Sequence, residues 1–200
     1  MSIIAKNKGG DFKQLPPATY SARCYQIVDL GHQKNEHEGK ITVKHQVLVS
    51  WEIPTELLDD GEPMSIGKFY TLSLHPKSNL GQDLVSWRGK AFTTEEEAGF
   101  DVSNLAGVPC MLSVIDKNGK SRVSSVSGLP KGMTVPDQIN DSLVFSMEDY
   151  SKGDTSIFDK LSEGIQAIVL KSEDLKKQEQ PVQSENPAEG LDGLDPDIPF

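Results

Sequence analysis

Between Ile41 and Ile53 apolar and polar residues alternate with one break. Ile41, Val43, His45, Val47, Val49, Trp51 and Ile53 are interleaved with Thr42, Lys44, Gln46, Ser50 and Glu52, and only Leu48 is out of step. A period of two sends successive side chains to opposite faces, so this stretch predicts a half-buried strand. Ala18 to Leu30, Gly67 to Leu74, Val108 to Ile115 and Arg122 to Val126 read as four more strands. Pro54 and Asp59-Asp60-Gly61 break the chain before the third, and Asp116-Lys117-Asn118-Gly119 joins the last two through an Asn-Gly hairpin signal. From Ser78 to Arg88 the period becomes helical, with Leu80, Leu84, Val85 and Trp87 as candidate buried positions and Gly89 as the stop. Glu95-Glu96-Glu97 after Thr93-Thr94 predicts a capped first helical turn, where carboxylates meet the positive end of the helix dipole. Ile157, Phe158, Leu161, Ile165, Ile168 and Val169 recur at helical spacing and predict a helix packed against the strands.

Three strands, a helix and a two-stranded hairpin follow the element order of an OB-fold, a five-stranded Greek-key barrel. The expected architecture is mainly β: such a barrel with one or two helices over residues 1–170, then a disordered acidic tail over 171–200. Lys176 to Asn186 contains no apolar residue except Pro181 and Val182, and it is rich in Gln, Glu and Ser.

Charge changes what the barrel is expected to bind. The 200 residues carry a net charge of −10, and half of it lies in Lys171 to Phe200, where eight acidic residues face three basic ones. Residues 1–50 run the other way, with seven Lys or Arg against four Asp or Glu. Tight, purely electrostatic binding of duplex DNA needs many phosphate contacts and is disfavoured. A groove that stacks bases on rings needs fewer cations. No apolar run is long enough to span a membrane and the start lacks secretory signal character, so an intracellular protein is expected. Cys24 and Cys110 lie in apolar strand patterns and read as buried free thiols.

The final residues, Asp195-Pro196-Asp197-Ile198-Pro199-Phe200, read as a peptide ligand. Two prolines hold the tip extended, Phe200 offers a ring to a pocket, and its α-carboxylate offers a charge to a neighbouring Arg or Lys. The tip resembles that of bacterial single-stranded DNA-binding proteins, an acidic run ending in Asp-Ile-Pro-Phe, and Asp197 to Phe200 match it residue for residue. Ile27-Val28-Asp29-Leu30-Gly31 and Ser86-Trp87-Arg88-Gly89-Lys90 look like stretches of bacteriophage replication-module proteins that bind single strands. The resemblance implies a sequence-nonspecific coat for single-stranded DNA. The tip, through Asp195, Asp197, Ile198, Pro199 and Phe200, would recruit a polymerase, helicase, primase or nuclease in the cytoplasm, the host's if the chain is phage-encoded. It leaves room for a homo-oligomer.

Candidate DNA contacts follow from the barrel reading. Lys34 and Lys40 are expected on the loop between the first two strands, Lys44 on the polar side of the second, and Lys68 at the start of the third. Lys117, Lys120 and Arg122 belong to the last hairpin, while Tyr70 beside Lys68 and Tyr25 beside Arg23 are the candidate stacking rings. Trp51, Trp87 and His45 fall on apolar faces and read as core or rim. Signals for catalysis fail. Gly119-Lys120-Ser121 lacks the first glycine of a phosphate-binding loop, since position 114 is valine, and the four histidines lack metal spacing. No enzyme, metal or cofactor is therefore expected. The alternatives are an interaction protein that occupies host tail-binding pockets without touching DNA, and a metal-dependent DNA-processing enzyme.

Overall fold

The computed structural model describes residues 13–178. The alternating stretch forms the middle of β2 (Lys40–Leu57), which lies between β1 (Ala18–His37) and β3 (Pro63–Thr71). After β3 come α1 (Asn79–Arg88) and α2 (Thr94–Ala98), then the hairpin of β4 (Pro109–Asp116) and β5 (Ser121–Ser127). Helix α1 starts on the Ser78 side chain and stops at Gly89, and α2 carries a reciprocal capping box between Thr93 and Glu96. The sheet runs β3-β2-β1-β4-β5, antiparallel at every step. Its two outer strands, β3 and β5, come side by side, and Lys68 Nζ on one lies 3.4 Å from the Ser124 carbonyl oxygen on the other. The fold is thus mainly β, as the alternation predicts.

Bulges in β1 curl the sheet. The register with β2 slips between Cys24 and Gln26 and again between Asp29 and Gly31, and each slip bends the strand. Residues Ala18 to Arg23 pair with β4, whereas Gln26 to Val28 pair in parallel with a sixth strand, β6 (Leu143–Phe145). Three residues are too few for a periodic signal, so β6 is an addition to the five expected strands.

Two apolar clusters cover opposite faces of this sheet. The inner one holds Trp51, Trp87, Tyr70, Leu112 and Val126 together with the free thiols of Cys24 and Cys110. The indoles of Trp51 and Trp87 sit 5.9 Å apart, and burial pushes the Cys24 thiol up to about 12. The outer cluster joins Val28, Leu30 and Leu48 to Phe145, Met147, Leu161 and Val169. Leu48 breaks the alternation because its own face is covered too, and residues 47–53 are buried without interruption. Each such fully buried aliphatic side chain contributes roughly 1.5–3 kcal/mol.

The chain that covers the outer face is not the single helix expected from Ile157 to Val169. It folds as α3 (Met147–Ser151), a 3-10 turn (Phe158–Lys160) and α4 (Glu163–Val169), because Leu161 and Ser162 are extended, each with ψ 149°. One straight helix touches a curved sheet along a single stripe. The break lets Leu161 and Val169 both reach the sheet while Phe145, Tyr150 and Phe158 form a ring cluster with centroids 4.7–6.0 Å apart. Residues 171–178, expected to begin the tail, instead include α5 (Glu173–Gln178), whose Asp174 carboxylate accepts from His32 N at 2.8 Å. Among the described residues no helix is long and apolar enough to cross a membrane.

Candidate nucleic-acid interface

The β4–β5 hairpin turns through Asn118 and Gly119, both left-handed (φ 57° and 72°), and the Asp116 carboxylate accepts from Gly119 N at 3.0 Å. This tight turn fixes which residues face each other. Ile115 lies opposite Arg122, and Lys117 and Lys120 exchange backbone hydrogen bonds next to the turn. Positions two apart on a strand share a face, so these four side chains stand together. All are exposed, and none of the three cations has an ion-pair partner among the described residues.

Across a groove of about 860 Å³ this face meets β3 at Gly67, Lys68 and Phe69. Phe69 is 50% exposed and Ile115 45% exposed. No carboxylate lines the groove among the described residues. Phe69 pairs with Leu48 and therefore projects on the outer face of the sheet. Gly67, two residues before it, leaves the surface flat, because a Cβ there would come within 3.0 Å of Leu48 Cδ1. An exposed ring on a flat floor flanked by cations can take a base on its face and a phosphate on its rim.

The candidate ring of the sequence reading is misplaced by one position. Tyr70 points into the inner cluster, only 3% exposed, and its hydroxyl donates to Asp83 Oδ2 at 2.7 Å. Burial first, then the neighbouring Asp83 charge, push its pKa far up. Lys68 does not start the third strand but lies inside it, where it pairs with Asp83 at 2.7 Å and stands 5.1 Å from the Tyr70 ring centre. The faces explain the swap: residue 70 pairs with Val47 of the apolar set, and residue 69 pairs with Leu48. Leu48, out of step in the alternation, was the available signal that this second face also mattered.

Lys34 and Lys40 are not on a loop. The strands run on to a two-residue turn at Glu38 and Gly39, both left-handed (φ 51° and 74°), and build a two-stranded arm. Lys40, Thr42 and Lys44 share the face of Leu48 and Phe69, whereas Lys34 pairs with Val43 and lies on the opposite face. Lys44 lies four positions from Leu48, roughly 13 Å along the strand. Phe69 is thus flanked by cations on both sides, from the hairpin and from the arm.

Arg23 and Tyr25 belong elsewhere. Arg23 Nη1 donates to Gln138 Oε1 at 3.3 Å, in the irregular segment that follows β5, and Tyr25 is half-buried. That segment is held by Glu52, which is fully buried although it belongs to the polar set of β2. Its carboxylate accepts from Ile139 N at 2.9 Å and from Asn140 N and Nδ2 at 2.8 and 2.6 Å.

At the base of the arm, His45 Nε2 lies 2.6 Å from Asp29 Oδ1, and the His32 ring stacks on His45 with centroids 4.8 Å apart. The hydrogen bond to Asp29 raises the His45 pKa above its ordinary value, against an opposing effect of burial. Burial likewise opposes the Asp174 carboxylate, but hydrogen bonds from His32 hold its pKa below the usual range. Among the described residues no group of three or more His, Cys, Asp or Glu is placed to hold a metal. The tip residues Asp195, Asp197, Ile198, Pro199 and Phe200 lie outside the described residues. Comparison with protein-family models, with curated proteins and with solved structures finds no match to this chain.

Proposed function

We propose that this chain is a single-stranded DNA-binding protein of the phage type, built on an OB-fold barrel that closes between β3 and β5. One observation carries the reading: half-exposed Phe69 and Ile115 line one groove with Lys117, Lys120 and Arg122, which have no ion-pair partner among the described residues of a chain with net charge −10. A surface that keeps free cations beside exposed apolar side chains suits a ligand with phosphates and stackable faces. Single strands supply both, whereas a duplex hides its base faces. The OB-fold reading fits the same place, because that fold binds over its second and third strands and between two of its loops. The strand path β3-β2-β1-β4-β5 with its two end strands side by side supports it.

The strand is coated with little sequence preference during replication or recombination, and the acidic tip recruits partner enzymes. The match of Asp197 to Phe200 supports that second role. The test is fluorescence anisotropy of labelled oligothymidine and of a duplex of equal length, with full-length protein and with protein ending at Gln178, over a salt series. Preferential binding of oligothymidine by both forms is expected, tighter at low salt without the acidic tail, which competes for the groove. Absence of binding by both forms would leave the interaction-protein reading, and cleavage of the oligonucleotide with magnesium would make the chain an enzyme.

A further inference from the structure

The free face of the arm fits a second copy of this chain, and we propose that two copies associate through it. At its base the arm is tied down, with His45 O accepting from Leu72 N at 2.8 Å and His32 N donating to Asp174 Oδ2 at 2.8 Å, but further out residues 34–37 and 40–43 pair only with one another. A two-stranded ribbon of this kind is marginal by itself in water. On the face opposite Lys40 and Lys44 it carries Ile41 and Val43, 53% and 51% exposed, two β-branched apolar side chains with water on them. Their cross-strand partners are Glu36 and Lys34, both exposed and both without an ion-pair partner among the described residues.

These four residues form a square that complements itself. Lys34 stands beside Val43, and Glu36 stands beside Ile41 one step nearer the turn. Two such faces, stacked about a twofold axis that crosses the ribbons between these two rows, place Lys34 of one copy over Glu36 of the other. The same operation places Ile41 over Val43. An isologous contact needs this property, a patch that meets its own image with opposite charge and matching apolar surface. A ligand of one charge would leave either Lys34 or Glu36 opposed by its own sign. The cationic face of the arm stays free for nucleic acid in the pair, and the inference does not rest on DNA binding.

The experiment is sedimentation velocity of the full chain without DNA over a wide dilution series. The expected result is a monomer–dimer equilibrium. Lys34→Glu alone and Glu36→Lys alone each set like charges against each other twice, which weakens the dimer about tenfold or more. An equal mixture of the two variants restores it, since every contact between the unlike chains is then Lys against Glu. Lys40→Glu, on the other face, leaves the equilibrium unchanged. The mixing arm also guards against misfolding, because chains that had lost the arm would not regain association when combined. A wild-type chain that stays monomeric throughout, or single variants that associate as wild type does, would overturn the proposal.

Discussion

Replacing Phe69 with alanine separates binding from folding more cleanly than any other change in the groove. The ring is half-exposed at the edge of the outer face, so its loss opens no closed cavity. Base-on-ring stacking is worth about 1–3 kcal/mol per base by alanine substitution, which corresponds to roughly 5- to 150-fold in affinity. Its neighbour makes the contrast. Tyr70→Ala would empty a buried site at a cost of about 3–5 kcal/mol and lose oligothymidine binding only by unfolding the sheet. Tyr70→Phe loses one hydrogen bond to the Asp83 carboxylate, about 1.5–3 kcal/mol, with DNA affinity unchanged. Anisotropy titrations at fixed salt, run beside thermal melts of each variant, read both quantities. If Phe69→Ala binds oligothymidine within twofold of wild type while its melt is unchanged, the ring is not a stacking platform.

The remaining expectations concern charge and anchoring. Changing Lys117, Lys120 and Arg122 together to Gln removes the three proposed phosphate contacts, so the slope of log affinity against log salt should fall in magnitude by about 2 for a single strand. A slope that does not move places the backbone elsewhere. Glu52→Ala takes the shared carboxylate from the half-buried amides of Ile139 and Asn140 and should cost roughly 1.5–3 kcal/mol, with new protease cleavage between residues 128 and 142 as the readout. The raised His45 pKa stabilises the fold below its ordinary value of 6.5 and loses that contribution as pH climbs through the folded value. The lowered Asp174 pKa contributes above 3.8 and loses its share as pH falls through the folded value. Melting temperature should therefore drop as pH rises past 6.5, and His45→Gln should flatten that drop.

The elements that could be read from the chain are those whose period survives folding. Strand β2, the caps of α1 at Ser78 and Gly89, the Thr93–Glu96 box and the Asn118-Gly119 turn are all set by local chemistry. What stayed hidden depends on contacts far along the chain. Glu52 looks like a surface carboxylate until residues 139 and 140, more than eighty positions away, bring three donors to it. Tyr70 looks like the rim until pairing with Val47 turns it inward, and pairing with Leu48 gives the exposed face to Phe69, which had no signal of its own.

The grouping of the arm's cations turns on one residue in the same way. From Gln26 to Asp29 the pairing of β1 with β2 follows one register, in which Val28 meets Leu48. Continued unchanged, it would set Lys34 opposite Thr42 and Glu36 opposite Lys40, on the face of Lys44. The slip between Asp29 and Gly31 adds one residue to β1 and moves Lys34 opposite Val43. A shift of one flips every later side chain to the other face. Gly31 permits it, with φ 65° and Asp174 Oδ2 only 2.7 Å from where a Cβ would sit. Alanine is strained in that backbone conformation and crowds the docked α5. One glycine thus divides the arm into a face with two cations and no acid, suited to phosphate, and a face that balances Lys34 with Glu36 and exposes Ile41 and Val43, suited to its own copy.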